Sequence, residues 1–511
     1  MTVFDSTARA RAAGPDAMSG GGVTAGLLTS LAAWLPHQRW FPGRGATLAD
    51  LAVISDVTLQ AGDPALRHLV VETSLRTGPA RVQVLVGYRR ELPAVLEEAL
   101  IGREDGVACY DALHDPDLAE VLLHAITDQR LAEHLRFVRE PAAPPQSRYD
   151  DSGAARRGRP IGAEQSNTSL VFGDLAILKV LRRLFPGSNP DLEVADALAR
   201  LGSARVAAPY GWIETDLDGE PVLLAVLSQF LAGASDGWTM ALASLQRLYG
   251  RYGAYGEEYL TGPVTTDPVT TDPVTTDPVA TDPVTTGPAS GSESSALPFT
   301  AEARELGRAT AELHADMASA FGRRDMTAAE LTQLAGDLNQ KLTDAIAVVP
   351  ELTAFEARIR SAYDAVARLR EPVPVQRIHG DYHLGQVLRA AQGWVALDFE
   401  GEPAVPLAVR RAPAPALRDV AGMLRSFDYA ARHQLIGHQS APAVTAVADG
   451  WVRQCQAAFC GGYSAAGGTD PDAHGTLLRA QTLEKAVYEV IYEYRHRPSW
   501  LEIPLGYVAA A

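Results

Sequence analysis

Between Pro263 and Gly287 the chain reads PVTTD, PVTTD, PVTTD, PVATD, PVTTG. Proline every fifth residue fixes φ and removes a backbone donor each time, so this run can be neither a helix nor a strand inside a sheet. It continues into PASGSESSALP, and residues 261–298 read as an extended, disordered insertion with polyproline II character. The insertion separates two unlike parts. Ahead of it stand short strand-like runs, LAVISDVTLQ, LRHLVVETSL and RVQVLVGYRR, which predict strands. Segment 108–134 has helical spacing around an Asp-Pro start, and 159–231 runs strand, loop, strand, helix, strand, strand. Behind it, FTAEARELGRATAELHADMASAF, LTQLAGDLNQKLTDAIAV and ELTAFEARIRSAYDAVARLRE carry the 3.6-residue period of helices. Strands first and helices after predict an α+β arrangement of at least two lobes.

Charge and cysteine content narrow the function classes. The net charge of −17 argues against a nucleic-acid binder, which needs a basic face. Cys109, Cys455 and Cys460 cannot complete a disulfide framework, and no Cys/His cluster has zinc spacing, so a reducing, cytoplasmic setting is expected. Residues 1–22 look like a disordered leader without a signal-peptide core, and no apolar run approaches the roughly 20 residues of a membrane span. Among 45 basic residues only Lys179, Lys341 and Lys485 are lysine. A surviving lysine in so arginine-rich a chain marks a place where a compact ammonium is useful, although Lys341 sits in what reads as an ordinary solvated helix.

The chemistry concentrates in QRIHGDYHLGQVLRAAQGWVALDFEGEP, residues 376–403. Asp381 is followed five residues later by the amide of Gln386, and twelve residues after that by Asp398 at the end of an apolar run. Phosphoryl transfer needs this set: a carboxylate to take the acceptor's proton, then oxygen donors for Mg²⁺. Upstream, a polar stretch Gln165-Ser166-Asn167-Thr168-Ser169 reads as a turn over phosphates, with Lys179 on the next strand and Glu193 on the following helix to orient it. LSQFLAG, residues 227–233, would be a hinge binding adenine through backbone groups of Gln229, Phe230 and Leu231. No GxxxxGK[ST] is present, which excludes a P-loop.

These motifs resemble the aminoglycoside phosphotransferase and choline kinase superfamily, a branch of the protein-kinase-like fold. HGDYHLGQ is similar to its H-G-D-x-H-x-x-N loop, with Gln386 in place of Asn, and LGRATAELHADM to the helix before it. QRWF (38–41), VQVLVGY (82–88) and LEKAVYEVIYEYRHRPSWLEIPLG (483–506) narrow the resemblance to the maltokinase family. The resemblance implies a bilobal α+β fold. Residues 23–100 would be an N-terminal β-rich cap, 101–231 a nucleotide-binding lobe of small sheet plus helix, and 232–511 a mostly helical catalytic lobe. It implies ATP and Mg²⁺, with maltose as acceptor phosphorylated at its anomeric hydroxyl, and trehalose synthase as a possible supplier and partner. Asp381 would be the base, Gln386 and Asp398 the metal ligands with Glu400 assisting, and Lys485, Tyr488, Glu489 and Tyr492 one acceptor-binding helix face. His379 joins the acceptor set, although with His383 and His314 it also reads as bracing the loop. Arg418-Asp419 would close the site beneath the loop, and Trp40-Phe41 would pack cap on lobe. Competing readings are a glucosamine or other sugar kinase, an aminoglycoside phosphotransferase, and a catalytically silent scaffold; for an amine, Glu400, Glu402 or Glu489 could serve.

Overall fold

A computed structural model of the chain describes residues 22–45, 48, 50–75, 78–150, 157–161, 167–250, 299–402, 405–436 and 442–511. The leader up to residue 21, the 261–298 insertion, and Gln165 and Ser166 lie outside the described residues. The chain divides into two units: Met1–Ser188 with Pro209–Phe230, and Asn189–Ala208 with Leu231–Ala511.

In the first unit, the three strand-like runs become β1 (Leu51–Gln60), β2 (Ala65–Leu75) and β3 (Gly78–Arg89). They form the sheet β1-β2-β3-β5-β4 with β4 (Leu100–Glu104) and β5 (Val107–Asp111). The sheet thus reaches Asp111, past the expected cap boundary at 100, because β5 pairs with β3 through Gly87 and Tyr88. β2 is apolar on both faces because each face meets its own core. Leu66 and Val70 join a cluster containing Leu118 and Leu122 of helix Pro116–Thr127. Leu69 and Val71 join one containing Leu27 and Leu31 of helix Ala25–Trp34, with Trp40 and Phe41. A second sheet runs β6-β7-β11-β12-β10-β9-β8. Its strands are β6 (Leu131–Ala132), β7 (Leu135–Arg139), β8 (Arg159–Pro160), β9 (Asn167–Phe172), β10 (Ala176–Leu181), β11 (Pro209–Leu217) and β12 (Glu220–Gln229). Buried Gln83 stitches the sheets together, its Nε2 donating to the carbonyls of Leu181 and Leu224 at 2.6 Å each. Arg182 extends the seam: it pairs with buried Asp111 and stacks over the Trp40 ring at 4.8 Å, so Trp40 is a packing residue.

The second unit is mostly helical. Helices Phe299–Phe321 and Pro442–Ala465 pack so closely that a Cβ on Gly307 would lie 2.0 Å from the Phe459 carbonyl oxygen, and one on Gly462 2.1 Å from that of Arg304. Their core joins Leu306, Met317, Phe427, Phe459, Leu483 and Val487. Two small sheets lie within it: β13 (Ser235–Asp236), β16 (Val387–Ala390) and β17 (Gly393–Ala396) in one, and β14 (Arg323–Asp325), β15 (Pro374–Gln376) and β18 (Ala414–Pro415) in the other. Helix Pro190–Arg200 belongs here although it follows β10 in the chain. Asn189 caps it, its Oδ1 accepting from the N–H groups of Asp191 and Leu192. Among the described residues no helix is long and apolar enough to cross a membrane. The three cysteines are free; Cys109 and Cys455 are buried.

Candidate active site

β15 ends at Gln376 and the chain turns through Arg377-Ile378-His379-Gly380 to Asp381. Gly380 adopts φ +87°, a left-handed geometry that costs glycine little. Asp419, at the start of helix Leu417–His433, holds this turn from beneath. Its Oδ2 accepts from the His379 N–H at 2.8 Å and its Oδ1 from the Gly380 N–H at 2.9 Å. His314 lies with Nε2 3.0 Å from the same Oδ2 and Nδ1 2.9 Å from the Tyr463 hydroxyl. Burial alone would raise the Asp419 carboxyl, but the His314 hydrogen bond and charge outweigh it and hold it below the usual range. Gly422 lets this helix touch the loop directly, since a Cβ there would stand 2.6 Å from the Tyr382 carbonyl oxygen.

His379 corrects one expectation. Its Nε2 donates to the Leu397 carbonyl at 2.8 Å and its Nδ1 accepts from the Asp381 N–H at 3.3 Å. Both nitrogens are used by backbone groups and the residue is 1% exposed, so it braces Asp381 and is not among the residues lining the cavity beside it. His383 also braces, its Nδ1 accepting from the Gly385 N–H at 3.1 Å. Burial lowers its pKa to about 4, despite Asp381 nearby, so it is neutral at pH 7.

The β16–β17 hairpin carries Gln386 just before its first strand and Asp398 just after its second. Gln386 Nε2 donates to Asp398 Oδ2 at 3.3 Å. Asp398 sits at φ +61°, a strained backbone for a non-glycine residue and one that clusters at functional sites. Carboxylate oxygens of Asp398, Glu400 and Asp191 all lie within 4.8 Å of one another. Asp191, which the sequence reading passed over, also accepts the Phe399 N–H at 2.9 Å through Oδ1. Its one sequence signal is its place two residues before Glu193 in the first turn of the same helix. Asp398 Oδ1 is shielded from solvent and has no hydrogen-bond partner among the described residues, a costly state that a cation relieves. Hard oxygen donors around such an atom fit Mg²⁺.

Beside Asp381 opens a cavity of about 260 Å³. Helix Gly475–His496 contributes Glu484, Lys485 and Tyr488, helix Ala328–Val348 Lys341, and helix Leu417–His433 Arg418. Lys485 Nζ donates to Asp381 Oδ1 at 3.1 Å and to Glu402 Oε1 at 2.8 Å, and stands 5.1 Å from the Tyr488 ring centre. Arg418 faces the other Glu402 oxygen at 3.4 Å, and Lys341 pairs with Glu484. Lys341 therefore lines the cavity while staying exposed to solvent, as a solvated helix position would. The expected four-residue stripe divides: Lys485 and Tyr488 line the cavity, while Glu489 and Tyr492 do not. Glu489 is 3% exposed and accepts Arg425 Nε and Nη2 at 2.9 and 2.8 Å; Tyr492 lies against His496 and Arg497. Burial pushes the Glu489 carboxyl up to about 7 against the pull of Arg425.

In the first unit, Lys179 lies on β10 opposite Ser169 and Val226. Asn167, Thr168 and Ser169 form the start of β9, not a turn, because they pair in register with Leu181, Val180 and Lys179. The Thr168 hydroxyl accepts from Arg182 Nε at 2.9 Å. At the expected hinge, Gln229 ends β12 and the Phe230 N–H donates to the Leu175 carbonyl at 3.0 Å, so that donor is occupied. Leu231 begins the second unit, where its carbonyl accepts the Ala234 N–H at 3.1 Å. Glu193, also in the second unit, accepts from Arg411 Nη2 through its Oε1 at 2.8 Å.

Comparison with known proteins agrees with this architecture. Residues 34–115 match the model of the maltokinase N-terminal cap domain, and 294–402 that of the phosphotransferase enzyme family. The chain is 30% identical over 358 residues to a glucosamine kinase of Streptacidiphilus jiangxiensis, covering 68% of this chain and 71% of that protein. A glucosamine kinase of Mycolicibacterium smegmatis is 30% identical over 364 residues, covering 69% and 79%. A solved glucosamine kinase structure superposes with a TM-score of 0.62 at 24% identity, covering 94% of this chain and 98% of the other, and one in complex with glucosamine, ADP and inorganic phosphate gives 0.60 at 23%, covering 94% and 98%. The fold is the expected α+β, protein-kinase-like one, and the chain belongs to the phosphotransferase enzyme family, among members that carry a maltokinase-type N-terminal cap.

Proposed function

We propose that this phosphotransferase moves the γ-phosphoryl group of ATP to the anomeric hydroxyl of maltose, giving maltose 1-phosphate for α-glucan synthesis. Asp381 accepts the acceptor's hydroxyl hydrogen. As the O–Pγ bond forms, the proton passes to the Asp381 carboxylate, and the bond from Pγ to the bridging oxygen breaks with its electron pair leaving on ADP. Asp398, Gln386, Glu400 and Asp191 would hold Mg²⁺, which when bound neutralises phosphate charge. Lys179 would steady the phosphates and Glu193 assist it, with the strand residues Asn167–Ser169 and the hinge around Gln229 beside the nucleotide.

The observation that favours an uncharged sugar is the pairing of the cavity's inner carboxylates. Asp381, Glu402 and Glu484 are each already matched by Lys485, Arg418 or Lys341. Exposed Asp344 accepts from Gln340. The Tyr488 ring offers an apolar face to a sugar's C–H surface. The names of both relatives favour a second reading, glucosamine as acceptor. ADP release measured with maltose, glucose, glucosamine and an aminoglycoside separates the two. Maltose should be used best; turnover of glucosamine with maltose inert would overturn the maltose reading and retain the kinase. The supply from trehalose synthase stays part of the proposal and is tested by coupling that enzyme to the assay.

A further inference from the structure

Lys485 holds a peculiar position. Three carboxylates, Asp381, Glu402 and Glu484, and three cations, Lys341, Arg418 and Lys485, line the cavity apart from exposed Asp344. Lys485 bridges the proposed base Asp381 and a second carboxylate, Glu402, at 3.1 and 2.8 Å. It reaches them from helix Gly475–His496, Asp381 comes from the loop after β15, and Glu402 from the segment after β17. Arg418 meets Glu402 from its far oxygen, and Lys341 is spent on Glu484. His383 Nε2 is 4.0 Å from the other Asp381 oxygen. Two carboxylates converging on one small volume are what an amine-bearing acceptor requires, and here that volume holds an ammonium of the protein's own.

We propose that Lys485 is a specificity-determining residue: its ammonium fills the place an acceptor's amine would take between Asp381 and Glu402, and so restricts the site to sugars without a charged amine. The inference rests on the sugar-kinase reading above and deepens it. In a sugar the C2 substituent is one carbon from the anomeric hydroxyl. A hydroxyl brought to Asp381 therefore carries its C2 group toward Lys485. A C2 hydroxyl can accept from that ammonium, whereas a C2 ammonium meets a like charge with little water to screen it. Without Lys485, two cations would face three carboxylates, and an acceptor's own ammonium would restore the balance.

The test compares glucose with glucosamine, two ligands of the same ring differing at C2, by calorimetry on the full chain without ATP. In the wild type, glucosamine should bind at least about tenfold more weakly than glucose below the sugar amine's pKa, and should gain affinity as pH rises through it. In Lys485→Ala the preference should reverse, with glucosamine gaining on the order of tenfold and losing that gain as its amine deprotonates. Lys485→Met, which removes charge but fills the space, should not show the gain. Lys485→Ala that folds, by thermal unfolding, and still prefers glucose overturns the proposal. Should Lys485→Ala not fold, the wild-type pH dependence decides: glucosamine bound more tightly than glucose at low pH overturns it. Failure of the parent reading looks different. A wild type inactive on maltose but active on another amine-free sugar ends the maltose assignment and leaves the role of Lys485 standing.

Discussion

Replacing Asp419 by alanine should separate the loop's support from its chemistry. Asp419 is 1% exposed and accepts three hydrogen bonds: from the N–H groups of His379 and Gly380 and from His314. Alanine leaves three buried donors without an acceptor, at about 1–3 kcal/mol each, so about 3–9 kcal/mol in sum. Against the 5–15 kcal/mol typical of a domain's total, roughly, that removes much of the second unit's stability. Asparagine is milder. Its least costly orientation keeps the oxygen toward His379 and His314 and turns the nitrogen toward Gly380, which orphans one donor at about 1–3 kcal/mol. That donor lies in the residue before the base, so Asp419→Asn should also lower kcat by about 10²-fold through misplacement of Asp381. Urea unfolding followed by tryptophan fluorescence, with kcat on the best acceptor, reads both. A double-mutant cycle with His314→Ala should give a coupling of about 0.5–3 kcal/mol. An Asp419→Ala protein with an unshifted urea midpoint and full kcat would refute the reasoning, as would additivity of the two substitutions.

Other outcomes follow from the same geometry. Asp381→Asn should keep the fold and lose about 10²–10⁴-fold in kcat, measured by ADP release. Gly422→Ala should cost about 1–3 kcal/mol, since its methyl would press on the Tyr382 carbonyl, and should lower kcat with the melting temperature. His383 stays neutral in the fold down to about 4 while the unfolded chain takes up the proton near its ordinary 6.5. Its contribution, about 3 kcal/mol, is therefore complete above that value and lost as pH falls toward 4. His383→Asn should flatten the stability–pH curve there by one proton, and the curve of buried His68, also lowered to about 4 by burial, should remain. Chelation of divalent cations should abolish transfer, and Asp398→Asn should raise the Mg²⁺ concentration needed for half activity.

What the sequence made legible was local. β1 to β3 showed themselves as short strand-like runs, and the Gln386 and Asp398 spacing is set by one hairpin, which brings the two side chains together. What it hid was tertiary. The 485–492 spacing puts four side chains on one stripe, but the stripe is wider than the cavity. Glu489 is rotated past it to Arg425 on a helix 64 residues earlier. Asp191 finds Phe399 across 208 residues, which no local pattern announces. The polar stretch at 167–169 looked like a turn because its composition is turn-like; pairing to β10 overrides that preference. The scarcity of lysine was informative beyond its first reading, since two of the three, Lys341 and Lys485, line the cavity.

The central claim is that the hydroxyl brought to Asp381 is the anomeric one of maltose. Phosphorus–proton correlation NMR on the product of wild-type protein, Mg·ATP and maltose tests it most directly. The account predicts one phosphate coupled to the C1 proton of the reducing glucose, absent with Asp381→Asn. Phosphate on any other carbon, or on glucosamine while maltose stays unmodified, would contradict it.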